Sequence, residues 1–293
     1  MSLVEMALDK LRGAQARAGK SAPSNPPRQV GSLVDTGAHR RLDQIPDSGK
    51  LIAIDRDSLR MSGFLPESGF ERRLADQFRQ VKRPLLAHAF AEGSGNERLI
   101  AVASALPGDG KTFTSINLAL SLSREHDVSV LLVDADVAKR HVSRLFGAAE
   151  EPGLLDALAD PVVHPESMVI RTDLRSLQLL PAGKLCEGAT ELLSSARMAE
   201  ISLALLARDP RRIVVFDSSP LLITSESRPI IDTVGQVVLV VRAGVTPRQA
   251  VLDATSMLPS NKRVGIVLNQ SLTALSTNYY GHGDYGADTP AAG

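Results

Sequence analysis

Residues Ser104-Ala105-Leu106-Pro107-Gly108-Asp109-Gly110-Lys111-Thr112 crowd two glycines, a lysine and two hydroxyls into one short segment. That set suits a polyanion. Glycines let the backbone take conformations closed to other residues, so successive N–H groups can converge on phosphate oxygens. Lys111 supplies a point charge for β- and γ-phosphates, and the Thr112 hydroxyl is a hard oxygen ligand for Mg2+. An apolar run, Leu99–Ala103, precedes the segment and a helical pattern follows it, which is the setting a phosphate-binding loop needs. The strict pattern G-x-x-x-x-G-K-[ST] has glycine where Ala105 stands. Pro107, Gly108, Asp109, Gly110, Lys111, Thr112 and Phe113 are therefore expected to bind ATP, with Mg2+ beside it.

Carboxylates recur at the ends of two further apolar runs. Leu131-Leu132-Val133 leads into Asp134-Ala135-Asp136, and Ile213-Val214-Val215-Phe216 leads into Asp217. In an open α/β sheet the ligand lies beyond the carboxyl ends of the strands, where these side chains would reach a phosphate-bound metal or take a proton. Each Asp alone also suits a helix N-cap. Their joint placement after a phosphate loop favours chemistry. Asn269 directly follows the run Val264–Leu268; an amide there either reads a base edge or caps a turn. The chain has 3 tyrosines, Tyr279, Tyr280 and Tyr285. All sit near the C-terminus among Gly281, Gly283 and Gly286, a composition expected of a mobile tail that can present a phenol to an active site.

These residues need a scaffold. Strand-like runs at Leu99–Ala103, Val128–Val133, Leu177–Leu180, Ile213–Phe216, Val237–Val241 and Val264–Leu268 alternate with helical stretches near 112–124, 153–159, 190–207 and 247–257. Near-continuous aliphatic runs predict strands buried on both faces. Their alternation with helices predicts an α/β fold with a doubly wound, mainly parallel sheet. Leu74, Phe78 and Val81 share a face of a helix over 71–91, in which Pro84 is expected to cause a break or kink. Residues 2–18 fit either an amphipathic helix or a leader. Prolines and glycines from 19 to about 69 read as a linker, with a short strand at Leu51–Ile54. The expected organisation is 1–70 leader and linker, 71–275 nucleotide-binding domain, and 276–293 tyrosine-bearing tail.

Composition narrows the function. Hydrophobic residues make up 43% of the 293, and 33 basic side chains balance 33 acidic ones. A net charge of zero argues against nucleic acid as the partner. One cysteine, Cys186, excludes an internal disulfide and fits a reducing compartment. No apolar run approaches the roughly 20 residues of a membrane span, and no signal-peptide pattern opens the chain. A cytoplasmic protein, tied to a membrane only through a partner, is expected.

Taken together, S-A-L-P-G-D-G-K-T, L-L-V-D-A-D, V-V-F-D-S-S-P and the Tyr-Gly tail resemble the bacterial tyrosine kinases of capsule and exopolysaccharide systems. More narrowly, the stretches at 78–86, 133–139 and 179–183 resemble the autokinases of exosortase-associated loci. The resemblance implies a P-loop NTPase fold. It makes Lys111 and Thr112 part of a Walker A motif and Asp217 the Walker B carboxylate. Asp134 and Asp136 become a second, family-specific pair, one on the metal and one acting as base or second metal contact. It implies phosphorylation of Tyr279, Tyr280 and Tyr285 in trans within a ring of identical subunits. It also implies a membrane-embedded chain-length determinant as activator, and a cognate tyrosine phosphatase. The chain departs from the family at Ala138, where many relatives have Arg, at Ser219, where they have Pro, and at Asp76 and Phe78 in the oligomerisation helix. Two other functions fit the loop: a partitioning-type dimerising ATPase, and a nucleotide-binding regulator without catalysis. The first usually carries a lysine where Leu106 stands.

Overall fold

The computed structural model describes residues 48–67, 69–91, 95–174 and 176–271. In chain order these form β1 (Leu51–Ile52), α1 (Arg56–Met61), α2 (Glu71–Ala89), β2 (Leu99–Ser104), α3 (Lys111–Leu122), β3 (Ser129–Asp134), α4 (His141–Leu145), α5 (Leu154–Ala159), β4 (Ile170–Thr172), β5 (Leu177–Leu180), α6 (Ala189–Leu193), α7 (Ala196–Ala207), β6 (Arg212–Asp217), α8 (Ser227–Thr233), β7 (Gln236–Arg242), α9 (Arg248–Met257) and β8 (Arg263–Asn269).

The strands make one 8-stranded sheet in the order β1-β4-β5-β3-β6-β2-β7-β8. Every pairing is parallel except β4 with β5. Side-chain alternation divides the core in two. Leu99, Ala101, Leu131, Val133, Val214 and Phe216 face α5, α7 and α8. Ile100, Val102, Val130, Leu132, Ile213 and Val215 face α2 and α3. Both faces are covered, so the central strands must be apolar on both, as the sequence predicts. Burying one such aliphatic side chain contributes about 1.5–3 kcal/mol.

Several local expectations change. Helix α2 runs unbroken through Pro84. The proline costs the Gln80 carbonyl its helical partner, but Gln80 is exposed, so water can satisfy it. The predicted helix over 190–207 divides into α6 and α7. Ser194 Oγ donates to Thr190 O and Ser195 Oγ to Leu192 O, competing with the helical ladder at the break. Strand β8 is an edge strand of alternating burial rather than one buried on both faces. Within residues 48–67 the short strand expected at Leu51–Ile54 is β1, the edge strand of the sheet, and the rest of the stretch read as linker adds the helix α1. There Asp55 caps α1 by accepting from Ser58 N at 2.9 Å. The short elements α4, α8 and β4 carry no clear periodicity over so few residues, and the sequence does not reveal them.

Candidate functional site: a phosphate loop facing three carboxylates

The sheet register brings the candidate residues together. Val102 and Asp134 both pair with Asp217, so β2, β3 and β6 end side by side. The phosphate loop leaves β2 and re-enters the fold as α3. Gly108 and Gly110 have φ of 85° and 98°, the left-handed region that glycine enters without penalty. Ala105 is fully buried and needs no positive φ, so alanine stands there without strain.

The loop is held from three sides. Asp109 accepts from Leu106 N at 2.9 Å and from Thr246 Oγ1 at 2.7 Å. Asn269 Nδ2 donates to Asp109 O at 3.0 Å, and Asn269 Oδ1 accepts from Gln270 N. The Asn269 amide also lies where a Cβ on residue 110 would be, 1.9 Å from Nδ2. Of the two sequence readings for Asn269, this geometry describes a latch on the loop's own backbone. The Phe113 ring packs on Phe78 of α2, centroids 6.3 Å apart, which ties the start of α3 to α2.

The acidic residues are buried. Thr112 Oγ1 donates to Asp217 Oδ2 at 2.9 Å, and Ser115 Oγ lies 2.8 Å from Asp217 Oδ1. Asp134 Oδ2 accepts from both the amide and the hydroxyl of Ser143 at 2.7 Å. Lys111 Nζ forms a 3.3 Å ion pair with Asp136 Oδ2, at an angle that does not make a hydrogen bond. Burial pushes Asp217 up to about 7, reinforced by the Asp134 charge and opposed by Lys111 and the two hydroxyls. Burial likewise pushes Asp134 up to about 6 against the pull of Ser143. Glu226, on the chain beyond β6, is raised by burial and then by Asp136.

Asp134 Oδ1 and Asp136 Oδ2 are buried without a hydrogen-bond partner. Asp136 Oδ2 has the Lys111 ammonium 3.3 Å away; Asp134 Oδ1 has no such partner, and an orphaned buried oxygen is costly unless an ion or donor fills the place. The donors here are all hard oxygens, from carboxylates and a threonine hydroxyl, which fits Mg2+. Among the described residues, no group of three or more His, Cys, Asp or Glu forms a protein-only metal site.

Lys111, Thr112, Asp134, Asp136, Asp217 and Asn269 thus gather around one loop. Tyr279, Tyr280 and Tyr285 lie outside the described residues. Sequence reading missed Ser115, Ser143, Thr246 and Glu226. Ser115 follows Thr112 by one helical turn and was findable by spacing. The other three come from α4, the loop before α9 and the start of α8, and only the tertiary fold brings them near.

A family profile described as an AAA domain matches residues 97–243, just over half of the chain. Tyrosine-protein kinase YwqD of Bacillus subtilis is 28% identical over 208 residues, which cover 70% of this chain and 84% of that protein. Succinoglycan biosynthesis transport protein ExoP of Rhizobium meliloti is 32% identical over 203 residues. Those cover 67% of this chain and 25% of ExoP, so the chain spans about a quarter of that relative's length. The crystal structure of the VpsO kinase domain superposes with a TM-score of 0.57 at 27% identity, over 70% of this chain and all of that one. With a P-loop sheet, carboxylates at the ends of β3 and β6 and these relatives, the chain belongs to the AAA-domain family and, within it, to the bacterial tyrosine-protein kinases.

Proposed function

We propose that the chain is an ATP-dependent protein-tyrosine autokinase acting on its own tail tyrosines Tyr279, Tyr280 and Tyr285. The observation that carries this reading is the convergence of Lys111, Thr112, Asp134, Asp136 and Asp217 on one phosphate loop, with Asp134 Oδ1 buried and unpartnered and Asp136 Oδ2 held only by the Lys111 charge. The loop amides and Lys111 bind the β- and γ-phosphates. Thr112, Asp217 and Asp134 hold Mg2+, which when bound neutralises charge developing on the phosphates. The groove of about 830 Å3 between α2 and β8, which reaches Phe113, Thr114 and Asn269, is roomy enough for the nucleoside.

The phosphates draw Lys111 away from Asp136, and Asp136 becomes free to accept the proton of an incoming phenol. The tyrosine oxygen bonds to the γ-phosphorus, the bond to the bridging oxygen breaks, and ADP leaves. The tail enters from a neighbouring copy in a ring. Asp76 and Arg79 on α2, joined at 2.8 Å and largely exposed, are available for that contact. The wider setting we propose is exopolysaccharide assembly at the cytoplasmic face of a membrane. There the chain is activated by a membrane-embedded chain-length protein and reset by a phosphatase. Among the described residues no helix is long and apolar enough to cross a membrane, consistent with attachment through that partner.

Intact-mass measurement after incubation with Mg-ATP tests the reading. Added phosphates that disappear in the triple Tyr279→Phe, Tyr280→Phe, Tyr285→Phe variant are the expected outcome. ATP turnover with no mass change would replace the kinase by a partitioning-type ATPase. ATP binding with neither would leave a nucleotide-binding regulator.

A further inference from the structure

A second cavity lies away from the phosphate loop, between α1, α2 and the C-terminal half of α3. Its volume is about 570 Å3, within the range of small-molecule sites. Ile54, Leu65, Leu74, Phe78, Leu120 and Leu174 form an apolar part of its wall, with Asn117 and three serines between them. Three guanidinium side chains, Arg56, Arg60 and Arg124, line it as well. Glu71 is the acidic residue among its described lining residues.

The charges do not cancel within the cavity. Arg60 donates to Asp57 at 2.9 Å and to Glu71 at 3.0 Å, so Glu71 is neutralised by Arg60. The Arg60 Nε is buried and has no acceptor. Arg56 and Arg124 make no ion pair among the described residues, and both are exposed at the rim. An apolar chamber thus opens toward two uncommitted cations and one buried donor that lacks a partner. A purely structural gap between helices gives no reason to collect positive charge beside an apolar wall. Guanidinium groups match carboxylate and phosphate oxygens in planar, two-point geometry.

We infer that this cavity binds an amphipathic anion, an apolar chain ending in a phosphate or carboxylate, with the chain against Leu74, Phe78 and Leu120 and the head group on Arg56, Arg60 and Arg124. Such a head group arises either on a free molecule or on a membrane lipid, and the chemistry recognised is the same.

The test uses the full chain and dodecyl phosphate, followed by calorimetry without nucleotide, so its result does not depend on kinase activity. Saturable 1:1 binding is expected, with dodecanol and inorganic phosphate each at least tenfold weaker. The double variant Arg56→Glu, Arg124→Glu should bind at least tenfold more weakly with an unchanged melting temperature. Ala75→Trp, which fills the cavity, should remove binding. Vesicles containing phosphatidic acid form the second arm. If they compete for dodecyl phosphate through the same residues, the head group is lipid-borne; if they do not, the ligand is free. Equal affinity of wild type and both variants, or dodecanol binding as tightly as its phosphate, would overturn the inference.

Discussion

Lys111 shows how much one side chain does here. It is almost fully buried and its partner in the fold is a carboxylate of the site rather than the core. Lys111→Met should therefore abolish tail phosphorylation while leaving the melting temperature within a few degrees, since the charge serves the transition state rather than packing. Mass spectrometry and calorimetry on the same sample read both. Asp217 gives a pH signature. Its folded value, about 7, lies above the ordinary 3.8. The native state therefore keeps a proton that the unfolded chain releases from about pH 4 upward. Stability from this group is full below pH 4, falls as pH rises, and levels off above 7. The shift is worth about 4 kcal/mol as an upper figure. In EDTA, Asp217→Asn should remove that slope, so wild type loses stability against the variant between pH 4.5 and 7.5. With Mg2+ the ionised form is selected, and stabilisation by the ion should be larger at pH 8 than at pH 6.

At the scale of elements, the loop between β2 and α3 depends on β8. The Asn269 amide holds Asp109 O and occupies the space beside residue 110. Gly110→Ala brings two separable costs, the clash with Asn269 and a left-handed φ for an L-residue, about 1–2 kcal/mol. It should weaken ADP binding more than tenfold. Adding Asn269→Ala should recover the steric part and leave roughly tenfold. Titration calorimetry on both variants separates the two; full recovery would mean that the φ of 98° is not needed for binding. The latch also accounts for the amide at the end of β8.

At the scale of the molecule, a buried ion pair ties the two halves of the sheet. Arg212 at the start of β6 donates to both oxygens of Glu166, at 2.7 and 2.8 Å, to Gln178 of β5 and to Leu205 O of α7. Glu166→Ala strands a buried guanidinium without its counter-charge and should cost roughly 3–5 kcal/mol. Urea unfolding measures this, with Glu166→Gln expected to cost less. The pair lies at the opposite end of β6 from Asp217. The loss should therefore appear in stability and leave nucleotide affinity almost unchanged in the folded fraction.

The chain itself determined the parallel sheet and the loop, because long aliphatic runs have no other place than between two layers, and because Gly108, Gly110, Lys111 and Thr112 are contiguous. The strand-end carboxylates were legible for the same reason: strand, loop and Asp follow one another in sequence. Strand order, β4 running antiparallel, and α1 docking on the edge were decided only by tertiary structure. So were Ser143 beneath Asp134, Thr246 on Asp109 and the Asn269 latch. Those contacts join residues 9, 137 and 160 positions apart. No local propensity specifies a contact between distant segments; the packing of the whole sheet, which fixes where each strand ends, does.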